Sequence, residues 1–118
     1  MSACRKLTWS ELLQPMKEYD VHLTEMRKSP YLLHGWLFGT IDGLSFQAKV
    51  SDERSSFGIG NGRVIKLAVT DDTGSEVIAY EHGWETYPGT SEDEDLLDAL
   101  VTFLDNIPKQ DEWYKLFQ

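Results

Sequence analysis

With a single cysteine, Cys4, the 118-residue chain has no partner for an internal disulfide and no thiolate cluster for a metal. That argues against a disulfide-built secreted scaffold and leads us to expect a reducing, cytoplasmic setting. No apolar run approaches the roughly 20 residues of a membrane span, so no membrane association is expected. The stretch after Met1–Lys6 is not apolar, as a signal peptide would require. Basic residues are scarce: 11 Lys and Arg against 20 Asp and Glu give a formal net charge of −9. Bare nucleic acid repels such a chain, whereas a basic protein surface attracts it. Catalytic signatures are missing as well. The sequence holds no G-x-S-x-G, H-E-x-x-H, H-x-H or P-loop spacing. No catalytic residue, metal or cofactor is therefore expected.

What is present is enough apolar character, 41% of residues with 12% aromatic, to pack one core. The chain reads as a single domain over 1–118: an N-terminal helical segment over 1–30, a sheet over 34–82, a helix over 91–107 and a tail over 108–118. Thr8 and Glu11 form a capping-box pattern before Leu12 and Leu13, and Pro15 either closes that helix or opens another. Two periods compete across residues 16–28. Met16, Tyr19, Leu23 and Met26 fit a helix, while Tyr19, Val21 and Leu23 fit a strand. The helix is preferred.

The sheet is clearer. Residues 36–41 and 44–50 alternate about Asp42-Gly43, a pair suited to the positive φ of a two-residue hairpin turn. That turn pairs Ile41 with Leu44 and Gly39 with Phe46, placing Leu37, Ile41, Leu44, Phe46, Ala48 and Val50 on the core face. Trp36 and Phe38 then lie on the opposite face. Strands over 63–70 and 75–82 follow, with Ile65, Leu67, Val69, Ile78 and Tyr80 inward and Val64, Ala68, Val77 and Ala79 outward. After them, Ser91 and Glu94 make a second capping box ahead of the apolar stripe Leu96, Leu97, Leu100, Val101, Phe103, Leu104 and Ile107, which Pro108 ends. Residues 111–117 form either further helical turns or an extended tail. The expected fold is thus α+β: a four-stranded antiparallel meander packed against a C-terminal helix, with the N-terminal helical segment on or beside the other face.

Two surfaces suggest a function. Trp36 and Phe38 sit on a sheet face more apolar than solvent alone explains, either as partner anchors or beneath Trp9, Leu12 and Leu13 of the N-terminal segment. Glu92, Asp93, Glu94 and Asp95 crowd the start of the helix. Acids there complement its dipole, but four exceed what capping needs and present a negative surface. A rival site lies where the loop 51–62 meets Arg63, His82, Trp84 and Glu85. Its glycines invite an anion, yet a strand follows rather than a helix.

The stretches Gly39–Gly43, Ala48–Val50, Ser56–Ile59, Gly62–Leu67 and His82–Trp84 resemble an uncharacterised family of small acidic domains from bacteria and from phage or other mobile elements. The resemblance spans about residues 36–105. It implies no catalytic residues and a small accessory role, such as a stoichiometric inhibitor. The expected activity is therefore non-enzymatic protein binding, directed at a basic, nucleic-acid-handling host complex such as a defence nuclease, without direct nucleic-acid contact. A small-ligand domain or small enzyme at the 51–62 loop is the alternative, and a homodimer through the outer sheet face stays open.

Overall fold

The computed structural model describes residues 19–29 and 32–117. The capping box at Thr8 and Glu11, the apolar residues Trp9, Leu12 and Leu13, and Cys4 lie outside the described residues.

Six strands form one antiparallel sheet in chain order: β1 (Val21–Arg27), β2 (His34–Ile41), β3 (Leu44–Ser51), β4 (Val64–Thr70), β5 (Glu76–Glu81) and β6 (Trp84–Thr86). One helix, α1 (Ser91–Asp105), and a 3-10 helix, Gln110–Phe117, follow. The meander is therefore longer by one strand at each end than the four expected.

The first addition corrects the preference for a helix over residues 16–28 at Val21–Arg27; residues 16–18 lie outside the described residues. β1 pairs with β2, setting Val21 against Ile41, Leu23 against Gly39 and Met26 against Leu37. A register shift between Leu23 and Glu25 inserts Thr24 as an extra residue. The bulge turns Met26 back to the core three positions after Leu23 instead of two. That spacing is what reads as helical in the sequence. The second addition, β6, has only three residues, too few to display alternation.

The first hairpin has the expected register, with Ile41 opposite Leu44 and Gly39 opposite Phe46. Asp42 and Gly43 hold φ of 51° and 82°, as their turn requires. A bulge between β3 and β4 changes the expected facing of the third strand. Lys49 opposes Lys66 but Val50 opposes Val64, leaving Ile65 as the extra residue. Val64, expected outward, is thereby fully buried, and Ile65 stays buried beside it.

α1 covers the core face with Leu96, Leu97, Leu100, Phe103 and Leu104. Its cap is Thr90 rather than the expected Ser91: the Thr90 hydroxyl accepts from the Asp93 amide at 3.1 Å. The patterns Thr90-x-x-Asp93 and Ser91-x-x-Glu94 overlap by one residue, and the chain uses the earlier frame. The helix ends at Asp105, short of the expected 107. There the Asn106 side chain donates to the Thr102 carbonyl at 2.7 Å.

The C-terminal segment takes the helical of its two expected forms. Its Trp113 is fully buried and donates from its indole to the Pro108 carbonyl at 2.9 Å. Gln110 ties the same segment to the sheet end. Its side chain accepts from the Ser29 amide at 2.9 Å and donates to the Leu32 carbonyl at 3.1 Å.

Three carboxylates, exposed at Glu53 and Glu81 and half-buried at Asp71, are held below their ordinary pKa. The Thr73 hydroxyl, then the Ser75, Thr73 and Gly74 amides, lower Asp71. Hydrogen bonds from Lys109 and Lys66 lower Glu53 and Glu81. A depressed folded pKa contributes stability above the unfolded value, and that contribution disappears as pH falls through the folded one. Urea unfolding midpoints are therefore expected to decline slightly from pH 7 as His34, whose burial lowers its folded pKa, protonates in the unfolded chain, and to drop more steeply below about pH 4, the ordinary carboxylate range. The Asp71→Ala variant should show a shallower acid slope; a slope equal to wild type would refute Asp71's part in it.

Candidate functional site

The β5–β6 turn builds an aromatic surface. His82 adopts φ of 60° and the Glu81 amide donates to the Gly83 carbonyl, reversing the chain within two residues. The reversal sets Trp84 opposite Tyr80. Tyr80 also opposes the buried Leu67, so Tyr80 and Trp84 share the helix side of the sheet. Their rings meet edge to face, centroids 5.0 Å apart at 71°. Trp84 meets Tyr87 in the same way, at 5.0 Å and 81°. Alongside, the Tyr80 hydroxyl donates to the Phe57 carbonyl at 2.8 Å, and the Phe57 ring lies 5.1 Å from that of His82.

These rings are large and open to solvent. Trp84 is 40% exposed, Tyr87 53% and Phe57 59%. An apolar cluster of this kind at a sheet edge is unusual unless something binds it.

The acidic start of α1 adjoins this cluster. The Tyr87 hydroxyl donates to Glu94 Oε2 at 3.3 Å. The negative charge of Glu94 first, and of Asp98 more weakly, holds the Tyr87 phenol above its ordinary pKa. Both carboxylates therefore act on the outer end of the ring ladder. Glu92, Glu94 and Asp95 are exposed and Asp93 is half-buried, its amide bonded to the cap. Aromatic faces and carboxylates together form one surface along the N-terminal flank of α1.

Trp36 and Phe38 are elsewhere. They alternate with the buried Leu37, so they lie on the sheet face opposite α1. Their rings are stacked, centroids 6.2 Å apart at 21°. Arg27 sits 5.1 Å above Phe38 and Lys49 5.9 Å from Trp36. In the same layer Lys66 pairs with Glu81 at 2.9 Å. The sheet therefore separates Trp36 and Phe38 from Glu92, Asp93, Glu94 and Asp95, and one flat partner face does not reach both sets.

The residues of the alternative ligand site are also divided. Arg63 is a clamp at the far end of α1. Its amide donates to Asp105 Oδ1 at 2.9 Å, and its guanidinium donates to the carbonyls of Ser51, Asp105, Ile107 and Pro108. Burial lowers its pKa, opposed by Asp52, Asp105 and Glu53. Gly62 makes room for the contact, since a Cβ there would stand 2.8 Å from the Asp105 carboxylate. Four of the five guanidinium N–H groups already have acceptors, which leaves little for a ligand. His82 leaves the sheet at the same end as Arg63, its amide 3.4 Å from the Ile65 carbonyl and its ring against Phe57, while Trp84 and Glu85, consecutive on β6, point to opposite faces of the sheet.

Sequence reasoning singled out Trp84, His82 and the acids, met Phe57 only as part of the loop 51–62, did not single out Tyr87 and placed Tyr80 simply inward. The signal for them was the His82-Gly83 reversal, which brings positions 80, 84 and 87 together. Among the described residues, no group of three or more His, Cys, Asp or Glu side chains is arranged to hold a metal. Among the same residues, no helix is long and apolar enough to cross a membrane.

Fold and surface together define an α+β sheet-and-helix domain with an aromatic and acidic patch at its β5–β6 edge. The chain belongs to the family described as Domain of unknown function (DUF7678), whose model matches residues 35–105. The match runs from the second residue of β2 to the last residue of α1, and so takes in both the clamp at Arg63 and the aromatic patch. No curated protein and no solved structure matches the chain.

Proposed function

We propose that this chain is a non-enzymatic protein-binding module, acting through the Tyr80–Trp84–Tyr87 ladder and the acidic flank of α1 on a partner with a basic surface. The observation that carries the reading is the contact between the Tyr87 hydroxyl and Glu94, which joins exposed aromatic anchors to a cluster of carboxylates. Aromatic anchors supply binding energy at interfaces, while complementary charge supplies the encounter rate and selects the partner. The net charge of −9 favours the same kind of partner. The finer form of the proposal is a small cytoplasmic accessory protein of phage or mobile-element origin. It would inhibit a basic, nucleic-acid-handling host complex stoichiometrically by occupying its charged surface.

The test is charge reversal at Glu92, Asp93, Glu94 and Asp95 in the full chain, read as affinity for the captured partner across a salt series. Affinity is expected to fall by about tenfold or more at low salt, and its salt dependence to flatten. The Thr90 cap is retained in this variant, and a thermal melt run alongside checks that the helix persists. Unchanged affinity and unchanged salt dependence in a folded variant would refute the electrostatic half of the proposal.

A further inference from the structure

Resting on that reading, we infer that the patch reads arginine rather than lysine side chains on its partner. The argument comes from how rings and carboxylates adjoin. Trp84 is the middle ring of the ladder, in edge-to-face contact with Tyr80 on one side and Tyr87 on the other. With centroids only 5.0 Å apart, these rings enclose no space between them. No cage is available to surround an ammonium or a quaternary amine. What the rings offer is their solvent-facing surface, with Trp84 40% and Tyr87 53% exposed.

Carboxylates lie beside this surface. Glu94 is bonded to Tyr87 through one oxygen, and Asp98, one turn further along α1, is close enough to act on the same phenol. Among the described residues no lysine or arginine is in an ion pair with Glu94 or Asp98.

A guanidinium suits this arrangement and an ammonium does not. The guanidinium is flat and weakly hydrated, so it can stack on an indole face while its N–H edge donates to a carboxylate at the border of the ring. An ammonium is a compact, strongly hydrated point charge. It can approach the acids but gains less from the rings. The occupant is accordingly an arginine-bearing segment of a basic protein. The acids provide attraction to either cation, and Trp84 provides the discrimination.

The experiment titrates the full chain with hexa-arginine and with hexa-lysine at equal ionic strength, by calorimetry. Wild type is expected to bind hexa-arginine about tenfold more tightly. Trp84→Leu should bring hexa-arginine down to the lysine affinity, while Glu94→Gln with Asp98→Asn should weaken both peptides together. Equal affinities in wild type, or a preference that survives Trp84→Leu, would overturn the arginine inference and leave the binding proposal standing. Binding of neither peptide would overturn both. The wild-type comparison needs no variant, so it does not depend on how well any variant folds.

Discussion

Replacing Trp113 with alanine is expected to lower the unfolding free energy by about 4 kcal/mol. Trp113 is the largest of the fully buried side chains, and it shares the burial of the C-terminal segment with Gln110 and Leu116. Its ring reaches β2 because Gly35 has no side chain: a Cβ there would meet Trp113 Cζ3 at 3.0 Å. Alanine would leave a cavity beneath the 3-10 helix and remove the indole donor to the Pro108 carbonyl. The Gln110 contacts to Ser29 and Leu32 depend on the same docking, so the β1–β2 connection should loosen with it. Urea denaturation measures the loss, and hydrogen exchange at the β1 amides locates it. Trp113→Phe, which keeps the ring but not the donor, should lose about 1–2 kcal/mol. A loss under about 1 kcal/mol for Trp113→Ala would mean that the segment is dispensable to the core.

Arg63→Ala is expected to destabilise by about 3 kcal/mol, or on the order of 10 °C in Tm. The guanidinium satisfies carbonyls of Ser51, Asp105, Ile107 and Pro108, three of them at or just past the end of α1. A helix leaves its last carbonyls without intrahelical partners, and the dipole concentrates negative charge among them. No lysine or arginine occupies the last turn of α1, so Arg63 supplies that positive charge from β4's approach. Its partial exposure lets water replace some of the lost bonds, which holds the estimate at 3 kcal/mol. Arg63→Lys should recover less than half, because an ammonium restores the charge but cannot fork to four acceptors. Full stability in Arg63→Lys would show that charge alone secures the helix end.

The hairpin over β2 and β3 was legible because its information is local. Asp42-Gly43 dictates the turn, and the turn dictates the register. α1 was legible because its apolar stripe runs for several turns. The bulge at Thr24 hid β1 by converting an alternating strand into a helix-like spacing. The bulge at Ile65 likewise reversed the facing of Val64, because an extra residue shifts everything beyond it to the other side. Trp113 and Arg63 act through backbone carbonyls and shape, and neither leaves a spacing that the sequence displays.

Of the candidate surfaces, the acidic turn was visible as a charge run and Trp84 as part of a short motif. Their adjacency was not visible, because it depends on Tyr87 bridging from the β6 end to Glu94. Trp36 and Phe38 could be read from alternation alone. That the helix lies across the sheet from them follows from Leu37, Ile41 and α1 sharing one core.

The most direct measurement is capture of the partner by three forms of the tagged chain, wild type, Trp84→Ala and Trp36→Ala, at low and at raised salt. Trp84→Ala should lose the partner by about thirtyfold in affinity, the effect of removing an aromatic anchor. Trp36→Ala should retain it, and raised salt should weaken what remains. A partner lost with Trp36→Ala but kept by Trp84→Ala would contradict the account and move the binding surface to the opposite face of the sheet.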